Sequence, residues 1–263
     1  MRTTLRDLRR LHAERQPIVV LTCYEASFAR AMDAAGIDVL LVGDSLGMVV
    51  QGHDSPNPVS LADVAYHTRA VARGSQRALV MADLPFGTSQ VSPEETFRNA
   101  VVLIQAGAQM VKLEGGVDMA DTIHFLVRRG IPVCAHIGMT PQSHHQFGGF
   151  RVQGRDEAGA QRVLADAAAV EAAGADLLLM ECIPRQLADQ IVTQAGVPTI
   201  GIGASPLCSG QVLVLHDVIG LGPVPLARLA KDFSAAPGGV AGAIRAYAEA
   251  VRAGTFPDAQ HCY

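Results

Sequence analysis

The chain has 263 residues, 49% of them hydrophobic and 17% charged, with a formal net charge of −4, which is long enough for one large α/β domain. The mild acidity offers no electrostatic footprint for nucleic acid or an anionic membrane, and no stretch reaches the roughly 18 apolar residues a membrane span needs. The charged N-terminal stretch lacks the apolar core of a signal peptide. The five cysteines, odd in number and without CxxC spacing, read as reduced thiols of a cytoplasmic protein.

Eight β-like runs follow one another along the chain, at 17–23, 38–43, 78–84, 110–115, 132–138, 176–182, 198–203 and 212–217. Most are continuous apolar runs rather than alternating ones, the pattern of strands buried on both faces of a parallel sheet. Helical segments separate them. Ser60-Leu61-Ala62-Asp63 and Ser92-Pro93-Glu94-Glu95 are capping boxes that open two of these helices, the second with proline at the first helical position. An Ala-rich helix is expected over 157–173. Gly36, Gly107, Gly130, Gly174 and Gly196 each close an Ala-rich or amphipathic segment just before a strand, as left-handed helix caps do.

Eight βα units in this length predict a (β/α)8 TIM barrel, parallel and eight-stranded, forming a single domain over 1–263. An open doubly wound sheet is the alternative, but TCYEASFA stands where its glycine-rich fingerprint would follow the first strand. The longest strand-to-helix excursions, 44–60 and 138–156, fall over the carboxyl ends of the strands and are natural lids. A C-terminal helix over 239–253 and a short tail are assigned to packing or subunit contact.

In a parallel barrel the carboxyl ends of the strands form the chemical face. Asp44, Asp83, Lys112 with Glu114, His136 and Glu181 all fall there. Lys112 and Glu114 lie two apart on one strand and so share a face, and burial against the outer helices would be costly, which favours the barrel interior. A structural ion pair is the alternative. Asp44, Asp83 and Glu114 end three successive strands, where all-oxygen ligands suit Mg2+ or Mn2+ better than zinc. Each aspartate alone also suits a helix cap or a turn. Glu181, approached by LLLM, is a candidate general base, with a cap or a salt bridge as the other possibility. His136 is a weaker candidate, His144-His145 belong to a loop, and GIGAS at 201–205 is either a phosphate cradle or a close-packed turn.

The runs LTCYEASFA, LVGDSLGMVVQGHDS, ADLPFGT, VKLEGG, IPVCAHIGMTPQS and GADLLLMECIP, in this order, resemble the ketopantoate hydroxymethyltransferases. The resemblance covers residues 21 to about 221. It implies a TIM barrel related to isocitrate lyase and phosphoenolpyruvate mutase, one Mg2+ per subunit and a homodecamer. It also implies transfer of the one-carbon unit of 5,10-methylenetetrahydrofolate to 3-methyl-2-oxobutanoate through a Mg-stabilised enolate, giving 2-dehydropantoate. By position, Asp44, Asp83 and Glu114 match the family's metal ligands. Asp44, Ser45, Asp83 and Lys112 match the residues around the 2-oxo acid, Glu181 the proton acceptor, and His136 a residue lining the site. Ser205 and Ser209 depart from the family pattern and cast doubt on details of the strand-seven loop, folate contacts included. A Mg-dependent 2-oxo acid lyase or mutase is a rival reading, but the Lys-Lys-Cys-Gly-His context of such lyases is missing. A non-catalytic metabolite-binding barrel is a second, and it would predict a broken site.

Overall fold

The computed structural model describes residues 2–263. In chain order the first half comprises α1 (Leu5–Ala13), β1 (Ile18–Thr22), α2 (Ala26–Ala35), β2 (Val39–Val42), α3 (Leu46–Val49), α4 (Leu61–Gly74), β3 (Leu79–Asp83), α5 (Pro93–Gln105), β4 (Met110–Glu114) and α6 (Ala120–Val127). The second half comprises β5 (Val133–Gly138), α7 (His144–Phe147), α8 (Glu157–Ala172), β6 (Leu177–Glu181), α9 (Arg185–Gln194), β7 (Thr199–Ile202), β8 (Gly210–Leu213), α10 (Leu215–Val218) and α11 (Gly239–Arg252). Among the described residues, eight parallel strands pair in sequence order and β8 returns to β1, so the sheet is a closed barrel. Closure removes both sheet edges, and apolar side chains of strands and helices fill the space between them.

Local signals place most elements. Ser60 accepts a hydrogen bond from Asp63 N while the Asp63 carboxylate returns to the Ser60 amide, so the expected capping box forms at α4. At α5 Ser92 caps Glu95 N, but no reciprocal bond from the Glu95 side chain forms, so that box is half built. Gly36, Gly107, Gly130 and Gly174 adopt positive φ before their strands; Gly196 does not. The last strand is the main departure. The apolar run at 212–217 predicts a strand there, yet β8 covers Gly210–Leu213 and Leu215–Val218 coils into α10. Thr22 Oγ1 accepts the Leu215 amide at 2.8 Å, which draws the chain away from the sheet as the helical turn begins.

The β1–β8 seam is pinned from outside by Tyr247 of α11. Its fully buried hydroxyl lies 2.8 Å from Val20 O on β1 and 3.0 Å from Gln211 O on β8. Tyr247→Phe keeps the packing but removes the hydroxyl that meets a carbonyl on each side of the seam. We expect a loss of about 1 kcal/mol in unfolding free energy, read as a lower denaturant midpoint with unchanged slope.

Candidate active site

Strand register sets the heights of the charged side chains. Asp83 stands opposite Lys112, Glu114 opposite His136, and Gly138 opposite Glu181. A staircase of ionisable groups therefore rises around the barrel from β3 to β6. Asp44 lies two residues past the end of β2 rather than at its end, and its amide donates to Asp83 Oδ2 at 2.9 Å. These side chains, together with Ser45, line a cavity of about 390 Å³ at the carboxyl ends of the strands. The structure thus brings Asp44, Ser45, Asp83, Lys112, Glu114, His136 and Glu181 together.

Lys112 is the centre of this group. Its ammonium is 2.7 Å from Asp83 Oδ1, 3.9 Å from Glu114 Oε1 and 3.3 Å from His136 Nδ1. Burial opposes the lysine's charge, but Asp83, Glu114 and Asp44 outweigh it and raise its pKa, so it stays an ammonium. Lys112 can only donate to His136 Nδ1, a contact that needs the imidazole proton on Nε2, whereas Glu114 Oε1, 3.4 Å from the same nitrogen, suits the other tautomer. Nε2 lies 3.3 Å from Glu181 Oε2 but forms no hydrogen bond with it, so His136 stands between the cation and Glu181. Burial first, and then Lys112, lower the His136 pKa and keep it neutral.

The carboxylates outnumber the cation. Burial raises Asp44 well above the usual carboxylate range, with Asp83 and Glu114 adding to it, and burial pushes Glu114 up to about 7. Glu114 Oε1 is buried without a hydrogen-bond donor. As arranged, no three His, Cys, Asp or Glu side chains among the described residues converge on one metal position. Lys112 Nζ occupies the space between Asp83 and Glu114, and the side-chain amide of Gln142 covers Asp44. The donor chemistry nevertheless fits a divalent cation. Three buried carboxylates share one ammonium, two of their oxygens, Asp83 Oδ1 and Glu114 Oε1, have no hydrogen-bond partner, and every candidate ligand atom is oxygen.

Sequence reasoning passed over three residues. Gln142, quoted only as part of a motif, is a hub. Its Nε2 donates to Asp44 Oδ2 at 2.7 Å and Leu84 O at 3.0 Å, and its amide donates to Glu114 Oε2 at 2.9 Å. Its backbone oxygen accepts from Asn57 and its side-chain oxygen from Gln90, so it ties the 44–60 and 138–156 excursions to the site. Cys182 has φ 46, a left-handed conformation uncommon outside glycine, immediately after Glu181. Tyr263 falls in the tail that the sequence assigns to packing or subunit contact; the tail does pack on the barrel, with Arg185 N donating to Tyr263 O, and Tyr263 also lines the cavity. No spacing signal marks a residue so distant in sequence.

The 201–205 loop forms a close-packed turn. Ser205 is fully buried against Asp189 and Leu207 N, and its carbonyl accepts from Gln211. Ser209 bonds to Thr199 and His12 at the amino ends of β7 and β8, at the opposite end of the barrel from the cavity. Its departure from the family pattern therefore does not reach the site.

The family model for ketopantoate hydroxymethyltransferase matches residues 2–259. The chain belongs to the ketopantoate hydroxymethyltransferase family. It is 55% identical over 263 residues to the 3-methyl-2-oxobutanoate hydroxymethyltransferase of Thiobacillus denitrificans, covering 100% of both chains. The enzyme of the same name from Dechloromonas aromatica is 53% identical, with 100% of this chain and 96% of the relative covered. Among solved structures, a phosphoenolpyruvate phosphomutase from Streptomyces platensis subsp. rosaceus aligns with TM-score 0.62 at 15% identity, over 82% of each chain. A 2,3-dimethylmalate lyase of the PEP mutase/isocitrate lyase superfamily aligns with TM-score 0.57 at 22% identity, over 76% of this chain and 72% of that one. These two likenesses show the fold: this ketopantoate hydroxymethyltransferase family member shares its barrel with that superfamily.

Gln142→Ala removes the amide that caps Asp44 and holds the 138–156 excursion down. A stability loss of about 1–3 kcal/mol is expected. Faster amide exchange confined to residues 139–150, read by mass spectrometry, is the accompanying local signature.

Proposed function

We propose that this chain converts 3-methyl-2-oxobutanoate to 2-dehydropantoate, with 5,10-methylenetetrahydrofolate giving the one-carbon unit. The whole-length likeness to enzymes named for that reaction carries the reading. A cavity that places a carboxylate and a buried ammonium on opposite sides of one histidine supports it. Asp44, Asp83 and Glu114 would hold Mg2+, which when bound withdraws charge from the carboxylate and keto oxygens of the 2-oxo acid.

The remaining steps belong to the protein's own side chains. Lys112, fixed by Asp83, meets the substrate's negative charge and stabilises the charge that develops on its keto oxygen. Ser45, whose Oγ is 2.8 Å from Tyr24 Oη, is placed to hydrogen-bond the bound acid. Glu181 takes the proton from C3, and the neutral His136 ring, whose Nε2 is 3.3 Å from that carboxylate, does not compete for the proton. Water cleaves the one-carbon unit from both folate nitrogens, leaving tetrahydrofolate and formaldehyde. The C3 electron pair of the enolate adds to that carbon, and the proton held by Glu181 passes to its oxygen, which becomes the new hydroxyl. The 44–60 and 138–156 excursions, tied together at Gln142, exclude bulk water from that intermediate.

The same reading places the protein in the cytoplasm and, with its family, in a homodecamer. Its five cysteines are all free and buried, as suits a reducing compartment. No helix among the described residues is long and apolar enough to cross a membrane.

Glu181→Gln keeps the shape but cannot accept a proton. Exchange of the C3 proton in D2O, followed by NMR, is expected to fall by roughly 10²–10⁴-fold, with condensation falling in parallel and 2-oxo acid binding little changed. Exchange persisting at the parent rate would remove Glu181 from the role of base.

For the metal, Asp83→Asn is the informative change, because Asp83→Ala would also leave Lys112 buried without its closest partner. In the Asp83→Asn variant the Mg2+ concentration for half-maximal exchange should rise by about 100-fold or more, while circular dichroism stays native. An unchanged Mg2+ requirement would rule out Asp83 as a ligand.

A further inference from the structure

We propose that Tyr263 forms the wall against which the pterin ring of the folate co-substrate binds, and that the 260–263 segment is strapped to the barrel mouth to hold it there. This deepens the reading above, which assigns the cavity to one-carbon transfer but leaves the donor's place open. The cavity has two unlike linings. Its charged groups come from β3 to β6 and the turn after β2, and they suffice for a small 2-oxo acid. Next to Glu181, beginning with its strand neighbour Ile202, the residues Ile202, Val212, Leu229 and Tyr263 add an apolar part of the lining. An acid of eight non-hydrogen atoms fills only part of about 390 Å³, and the space left over faces that apolar part.

A pterin is flat and apolar on its faces and polar at its edges, which is the chemistry a tyrosine ring recognises. Tyr263 is also in the right place. It shares the cavity lining with Glu181 and Cys182, so a ring bound there brings its one-carbon unit to the carbon Glu181 deprotonates. The segment is held by several bonds. Arg185 N donates to Tyr263 O at 2.7 Å, Arg228 Nε donates to Gln260 O at 3.0 Å, and Cys262 is buried. The exposed Arg228 guanidinium also lies 5.3 Å from the Tyr263 ring centre, where it adds a cation at the rim for the anionic glutamyl tail of a folate.

The test compares Tyr263→Ala and Tyr263→Phe with the parent in two assays. One is C3 proton exchange without folate; the other is condensation with 5,10-methylenetetrahydrofolate varied at saturating 2-oxo acid. For Tyr263→Ala the KM for the folate should rise roughly tenfold or more, the scale of one lost aromatic stacking contact, while exchange and the KM for the 2-oxo acid shift about twofold at most. Tyr263→Phe keeps the ring and should restore the folate KM to near the parent value. An unchanged folate KM in Tyr263→Ala would overturn the proposal. So would exchange and condensation falling together, which would make Tyr263 a support for Glu181 alone. A Phe variant as impaired as the Ala variant would overturn it too, by assigning the effect to the hydroxyl. Failure of the parent itself to exchange the C3 proton would overturn the underlying reading of the site, and is seen before any variant is compared.

Discussion

One ammonium organises the active end of this barrel. Lys112 is buried, and an isolated buried charge is so costly that its surroundings must supply partners. Asp83, Glu114 and Asp44 do so from three sides, and each of these carboxylates would itself be too costly to bury without the lysine. The arrangement depends on the register of adjacent strands. Asp83 and Lys112 are neighbours through the β3–β4 register, and Glu114 reaches His136 through the β4–β5 register, so a slip in either pairing would dissolve the group.

The cluster is also unbalanced, and the imbalance has chemical content. Three acids around one cation leave negative charge unmatched, and the structure absorbs it through Gln142 and through the raised proton affinity of Asp44 and Glu114. A site tuned only for stability would replace an acid or add a cation. Retaining the excess suits a centre that is completed by something it binds.

Much of this could be read from the sequence because burial in a parallel barrel writes plainly. Continuous apolar runs gave the strands, and ionisable residues at their carboxyl ends gave the site, since nothing else tolerates a charge after LLLM or MVK. Boundaries were less legible where tertiary bonds compete with apolar patterning. At VLVLHD the Thr22 hydroxyl captures the Leu215 amide, and the chain coils where its composition favours extension. Gln142 and Tyr263 escaped notice for a different reason. Neither belongs to a strand, and their roles depend on where an excursion and a tail come to rest. For Gln142 that is 98 residues from Asp44 in sequence, a separation at which no periodicity carries information.

The left-handed Cys182 has a consequence for how this chain tolerates change. Its amide is committed to Ile202 O and its carbonyl to Gln153 N, so the backbone at that point cannot relax into an ordinary conformation. The direction in which Glu181 leaves its strand is therefore fixed by main-chain geometry. A library of all amino acids at position 182 should retain a short alphabet, in which glycine and asparagine survive and valine, isoleucine and threonine do not. Met180, two residues earlier and wholly buried, obeys a different grammar, in which volume and apolarity decide what is kept. Two adjacent kinds of constraint, one torsional and one volumetric, thus flank the same carboxylate.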